Sequence, residues 1–206
     1  MAFSRLQLVL ATVVACAFSG IVAVVLASGG TDAATDSAPG FRGAQSPDVP
    51  PMDFRLRDQD GRVASLASLR GNVIVLTFLY TSCEDTCPVA AQQIRGALDD
   101  LGHDVPALAI SVDPANDTPA QARRFLLKQR LTGGRMRFLL GDRSTLAPIW
   151  KAYGIAPQKD AFDHSARVVL IDPRGRQRVA FPVEKLTPED LAHDIARLEA
   201  EQAARP

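Results

Sequence analysis

Val73-Ile74-Val75-Leu76-Thr77-Phe78-Leu79 is an almost unbroken run of β-branched and aliphatic residues. A strand with one wet face alternates apolar and polar residues. A run that is apolar at both parities needs cover on both faces, the pattern of a central strand between layers of helices. Beyond Leu79 the period changes: Ala90, Ile94, Ala97, Leu98 and Leu101 recur at helical spacing and make one apolar stripe. The two segments together predict a βα unit.

Working outward, Ala107 to Val112 reads as a second buried strand, and Thr118-Pro119-Ala120-Gln121 as a helix start. Thr supplies the N-cap oxygen, Pro the first helical position and Gln the reciprocal partner three residues on. Ala122, Phe125 and Leu126 give that helix a buried face. On the N-terminal side, Phe54-Arg55-Leu56-Arg57 alternates, Asp60-Gly61 turns, and Val63 to Leu66 returns, so a β-hairpin opens the domain. On the C-terminal side a short helix over 144–153, a strand over 167–171, a turn at Asp172-Pro173-Arg174-Gly175, a returning strand over 179–181 and a helix capped by Thr187 complete the pattern. Leu191, Ile195 and Leu198 form that last helix's apolar face. The expected class is α/β, a mixed sheet flanked by helices and preceded by a β-hairpin.

Residues 1–27 are expected to lie outside this fold. Leu8 to Ala27 carries no charge and follows a single basic residue, Arg5. At about 1.5 Å per residue it matches the roughly 30 Å of a hydrocarbon core. A transmembrane anchor is the preferred reading. A cleaved signal peptide ending at Val25-Leu26-Ala27, or a lipoprotein acylated at Cys16 in Val13-Val14-Ala15-Cys16, are the alternatives; the apolar run is long for the first and continues past Cys16 for the second. All three place the remainder extracytoplasmically, on the periplasmic or cell-surface side. Residues 28–50, rich in Gly, Ala, Ser, Asp and Pro, read as a flexible linker, and 51–206 as the folded domain.

Composition removes several functions. Lys+Arg and Asp+Glu both total 23 in 206 residues, so no basic surplus supports nucleic-acid binding. Three cysteines cannot build a disulfide scaffold.

Two of those cysteines fall where the buried strand hands over to the helix, in Thr81-Ser82-Cys83-Glu84-Asp85-Thr86-Cys87-Pro88. Sites of α/β sheets collect at such carboxyl ends. A pair four apart on an incipient helical turn shares one face, so both sulfurs reach one metal ion or each other. A helix N-terminus also favours the thiolate. Two unreactive buried thiols are the bland alternative. A two-thiolate metal site wants a further ligand, and three histidines are available. His164, in Phe162-Asp163-His164-Ser165, precedes the 167–171 strand and is the candidate. His103 beside Gly102 reads as a helix-end cap, and His193 as part of a solvated helix face.

Cys83-x-x-x-Cys87-Pro88 after a buried strand, Ser111-Val112-Asp113-Pro114 ending the next, Asp117-Thr118-Pro119 opening a helix and Asp163-His164-Ser165 before a late strand together resemble the SCO/SenC family, over roughly Met52 to Leu198. The resemblance implies a thioredoxin-like fold, a membrane tether, and extracytoplasmic copper delivery to the binuclear copper centre of cytochrome c oxidase. It implies Cys83, Cys87 and His164 as copper ligands, the copper-centre subunit as client, and a thiol reductant and another copper carrier as partners. The sequence departs from the family pattern at Asn116, where Arg is frequent, and in a short segment between Tyr153-Gly154 and His164. Soft thiolates with one imidazole at low coordination suit Cu(I), whereas zinc normally takes a fourth ligand. A metallochaperone is thus expected, with a thiol–disulfide oxidoreductase cycling Cys83 and Cys87 as the alternative.

Overall fold

The structure, a computed structural model, describes residues 40–45, 52–155 and 167–204. In chain order the strands are β1 (Ala44–Gln45), β2 (Arg55–Asp58), β3 (Val63–Ser65), β4 (Ile74–Leu79), β5 (Ala107–Ser111), β6 (Arg137–Leu140), β7 (Arg167–Ile171) and β8 (Gln177–Pro182). The α-helices are α1 (Thr86–Leu101), α2 (Pro119–Lys128), α3 (Arg143–Ala152) and α4 (Pro188–Ala203). The anchor expected over 1–27 and His164 lie outside the described residues. Among those described, no helix is long and apolar enough to cross a membrane.

All strands join one sheet in the order β1-β8-β7-β4-β5-β6-β2-β3. β4, β5 and β6 run parallel, while β7 and β8 return antiparallel on one side and the β2–β3 hairpin pairs antiparallel with β6 on the other. β4 is buried along its whole length, and its parity divides the interior. Val75 and Leu79, with Ala107, Ala109, Val168 and Leu170, face the apolar stripes of α1, α2 and α4. Ile74, Leu76 and Phe78, with Leu108, Ile110, Val169 and Ile171, face Leu146, Ile149 and Trp150 of α3 and the apolar residues of the hairpin. Unbroken apolarity in 73–79 therefore reflects two cores sharing one strand.

The expected caps are present. Thr118 and Gln121 form a reciprocal capping box ahead of α2, and the Thr187 hydroxyl accepts the Asp190 N–H at 3.1 Å ahead of α4. Two strands depart from the expectation. β6 is four residues long and follows Gly133-Gly134; its burial arises from the hairpin, whose buried Asp58 holds Arg137 at 2.8 Å while Gln59 accepts the Phe138 N–H at 2.8 Å. β1 falls within the stretch read as linker. Its docking rests on one buried carboxylate: Asp194 of α4, with no exposed surface, accepts the Arg42 N–H at 2.8 Å and the Gly43 N–H at 2.9 Å. The Phe41 ring lies under the guanidiniums of Arg178 and Arg197, 5.5 and 5.0 Å from its centroid. Gly43 passes so close to β8 that a Cβ there would sit 2.5 Å from Val179.

Hydrogen bonds to a charged acceptor are worth roughly 1.5–3 kcal/mol each. Asp194→Ala is therefore expected to destabilise the fold by about 3 kcal/mol, lowering Tm by about 6–12 °C for a domain of this size. Calorimetry beside Asp190→Ala, on the exposed first turn of α4, checks it.

Candidate functional site

The carboxyl ends of β4 and β5 are tied together by Asp117. Its Oδ1 accepts both the Thr81 N–H at 2.8 Å and the Thr81 hydroxyl at 2.6 Å, and its Oδ2 accepts the Ser111 hydroxyl at 2.5 Å. Burial pushes this carboxyl upward from its ordinary range, and the Ser111 and Thr81 donors pull against that shift. From the opposite face the Trp150 indole N–H donates to the Ser111 carbonyl at 2.9 Å. The sequence marks Asp117 only as opening a helix. Its second role, setting where the chain leaves β4 towards the cysteines, depends on a residue 36 positions away and becomes visible only in three dimensions.

Cys83 and Cys87 are both buried free thiols, 8% and 3% exposed. They meet differently from two residues on one helical face. α1 starts at Thr86, so Cys83 lies in the preceding loop and Cys87 is the second helical residue. The N-cap residue, Asp85, makes no side-chain cap bond. The Cys87 N–H instead donates to Cys83 Sγ at 3.2 Å, so a sulfur occupies the place that a Ser or Asp oxygen takes in most helix starts. Pro88 follows as the third helical residue, whose amide would have no intrahelical acceptor.

This geometry divides the protons unequally. The Cys87 thiol donating to Cys83 is the chief reason the Cys83 thiol falls well below its ordinary range; the backbone N–H groups of Cys87 and Asp85 and the Tyr80 side chain act the same way, against burial. Cys87 moves upward, because of that same bond to Cys83 and then because of burial. Within the pair the proton is therefore held more tightly at Cys87 than at Cys83.

Alkylation tests this by the shape of its pH profile. An ordinary thiol is only a few per cent ionised at pH 7, and its rate climbs about tenfold per pH unit there. A lowered pKa raises the thiolate fraction but reduces intrinsic nucleophilicity, so the absolute rates partly cancel. For Cys83, whose thiol pKa is lowered to about 5, the rate is expected to stay nearly flat from about pH 6.5 to 8. Iodoacetamide labelling followed by peptide mapping reads it, and a tenfold rise per unit would remove the assignment.

The other candidate ligands separate. His103 sits just past the far end of α1, about 24 Å along a sixteen-residue helix from the cysteines, where its Nε2 meets Glu199 at 3.0 Å and its Nδ1 the Leu101 carbonyl at 3.1 Å. It is a helix-end residue, as expected. A cavity of about 500 Å³ at that end contains no thiol. His193 is partly exposed and pairs with Asp194 at 2.8 Å. Among the described residues no three His, Cys, Asp or Glu side chains gather around one point. Among the described residues the cysteine pair therefore supplies two soft donors and no third candidate ligand stands beside them.

Comparison with known proteins gives the same picture. The SCO1/SenC family model matches residues 43–200. The SCO1 protein homolog of Bacillus subtilis is 30% identical over 152 residues, covering 69% of this chain and 79% of that protein. The mitochondrial SCO2 homolog of Bos taurus is 32% identical over 138 residues, 60% of this chain and 50% of its own length. BsSco, a member of the Sco family of cytochrome c oxidase assembly proteins in which a disulfide switch was identified, superposes with a TM-score of 0.66 at 26% identity, covering 76% of this chain and 96% of that one. Bradyrhizobium japonicum ScoI with copper bound superposes with a TM-score of 0.58 at 32% identity, covering 73% and 99%.

Proposed function

Because the chain belongs to the SCO1/SenC family, we propose that it is a copper metallochaperone that delivers its cargo to the binuclear copper centre of cytochrome c oxidase during assembly. The observation that carries the proposal is the donor pair itself, two buried sulfurs held at a helix start with a backbone N–H on one of them. Thiolates are soft ligands that select Cu(I) over harder divalent ions. With a neutral imidazole the loaded site would carry one net negative charge, which a helix N-terminus favours. The relatives agree with this chemistry: BsSco belongs to a family of oxidase assembly proteins, and ScoI has been solved with copper.

His164 is proposed as the third ligand. β7 begins at the carboxyl end of β4, where the Thr77 hydroxyl donates to the Arg167 carbonyl at 3.1 Å. In sequence His164 precedes Arg167, the first residue of β7, by three positions. Residues 1–27 are proposed as the membrane anchor, with the domain on the extracytoplasmic side and the linker of 28–50 joining them. The thioredoxin-like fold also admits thiol exchange. We place that activity in the same cycle, as the step that keeps the thiols able to accept metal.

Titration of the reduced full-length chain with Cu(I) against a competing chelator tests the reading. One Cu(I) per chain is expected, with the affinity reduced in His164→Ala by at least the roughly 10–100-fold that loss of an outer-shell partner costs. Oxygen-rich coordination by X-ray absorption would remove the copper reading. An unchanged affinity in His164→Ala would remove the histidine from it.

A further inference from the structure

The two sulfurs do not open to the same surroundings. A cleft of about 240 Å³ runs between the start of α1 and the length of α2, with Thr81, Ser82, Cys83 and Pro88 on one wall. Cys83 lines it; Cys87 does not. The facing wall is α2, which presents Gln121, Arg124 and Lys128 at helical spacing beside the Phe125 ring, with Gln129 closing the end. No carboxylate lines the cleft among the described residues. Arg124 and Lys128 also have no ion-pair partner there, unlike their neighbour Arg123, which is 3.0 Å from Asp60. Gln121 Oε1 is occupied by the Thr118 N–H at 3.0 Å and hydroxyl at 2.9 Å, which leaves its amide N–H groups as donors. The rim is apolar. Four large hydrophobic side chains are exposed among the described residues; Val89 follows Pro88, and Leu127 lies between Arg124 and Lys128.

We propose that this cleft is the docking surface for an acidic peptide segment flanking the cysteine of a partner protein, with Arg124 and Lys128 as its specificity-determining residues. Two unpaired cations and an amide donor select carboxylates. Exposed Val89 and Leu127, next in sequence to the cleft residues Pro88 and Lys128, favour a polypeptide, which can cover them, over a small anion, which cannot. The inference deepens the proposed function, because it names how a partner is chosen for exchange at the same thiol pair. In that exchange the Cys83 thiolate attacks the partner sulfur of a disulfide, a Cys83–partner S–S bond forms, and the displaced sulfur leaves with the electron pair as a thiolate. Cys87 then attacks Cys83 Sγ and gives its proton to the departing partner thiolate, so the partner disulfide gains two electrons and the chain's dithiol becomes a disulfide.

The test uses the reduced full-length chain and two synthetic peptides of the same length, each with one cysteine blocked as its thionitrobenzoate disulfide, one flanked by glutamates and one by lysines. Release of thionitrobenzoate reports the first attack. The glutamate peptide is expected to react about tenfold faster at low ionic strength, an advantage that shrinks as salt is added. In Arg124→Glu/Lys128→Glu the ratio should fall below one, and in Arg124→Gln/Lys128→Gln it should approach one. Because each variant is read as a ratio of two peptides, general loss of Cys83 reactivity cancels. Lys151→Glu, on α3 at the other face of the sheet, changes the net charge equally per residue and should leave the ratio nearly intact.

A ratio near one in the wild type, an unchanged ratio in the glutamine variant, or an equal response to Lys151→Glu would overturn the proposal. An equal acceleration for oxidised glutathione would do so too, by assigning the cleft to small anionic disulfides. Cu(I) uptake by the same wild-type preparation separates this from the copper reading. A chain that discriminates the peptides but takes up no Cu(I) keeps the docking surface and loses the metallochaperone assignment.

Discussion

Replacing Cys83 or Cys87 by serine is expected to abolish retention of Cu(I) against a chelator that leaves the unmodified chain loaded. The loss should exceed the roughly 10–100-fold that removing an outer-shell partner costs. A serine hydroxyl stays protonated near neutral pH and is a hard donor, so the substitution removes the charge and the polarisability of one ligand together. The local structure lets this effect be read without confusion with unfolding. Cys83 Sγ accepts the Cys87 N–H at 3.2 Å in the place of an N-cap side chain, and Asp85 supplies no substitute. Cys83→Ser leaves a side-chain oxygen as acceptor for the Cys87 N–H that Cys83 Sγ now accepts. The variant should keep its stability within about 1 kcal/mol of wild type while losing the metal. Alanine would remove both functions at once. Full retention of Cu(I) by Cys87→Ser would show that the buried sulfur is not a ligand.

That contrast explains what the sequence could and could not disclose. The βα unit, the capped starts of α2 and α4 and the late hairpin were legible because each is a local pattern: period, cap and turn lie within a dozen residues. The thiol pair was legible for the same reason. Its geometry was not. The four-residue spacing suggested a shared helical face, whereas the helix begins only at Thr86 and Cys83 approaches as a cap. Asp117 binds Thr81 and Ser111, and Asp194 binds residues 42 and 43, more than 150 positions away. Neither role leaves a periodic trace. β6 was hidden because four residues carry little pattern until Asp58 and Gln59 of the hairpin are placed against them. The cleft over Cys83 needs two helices at once, so no local pattern marks it.

Purification in air is expected to consume two thiols per chain and leave the protein unable to take up Cu(I) until a dithiol is added. The chain has three cysteines, and the two among the described residues, Cys83 and Cys87, share a hydrogen bond. Outside the cytoplasm no glutathione pool keeps such a pair reduced. Two thiols joined through the Cys87 N–H to Cys83 Sγ bond, with the Cys83 thiol lowered from its ordinary range, meet the condition for attack once an oxidant activates either of them. The disulfide has no thiolate to offer, so loading becomes conditional on reduction. Two features keep it easily reducible. The loop from Cys83 to Cys87 is so short that closing it removes little disorder from the unfolded chain. The helix N-terminus and the N–H groups of Cys87 and Asp85 stabilise the thiolate and thus the reduced form. Its potential should therefore lie above the roughly −300 mV below which structural disulfides fall. Thiol counting under denaturing conditions, before and after a mild dithiol, with Cu(I) uptake measured on the same samples, decides the matter. If all three thiols persist in air, or if the oxidised chain takes up Cu(I) unaided, copper loading does not depend on the redox state of this pair.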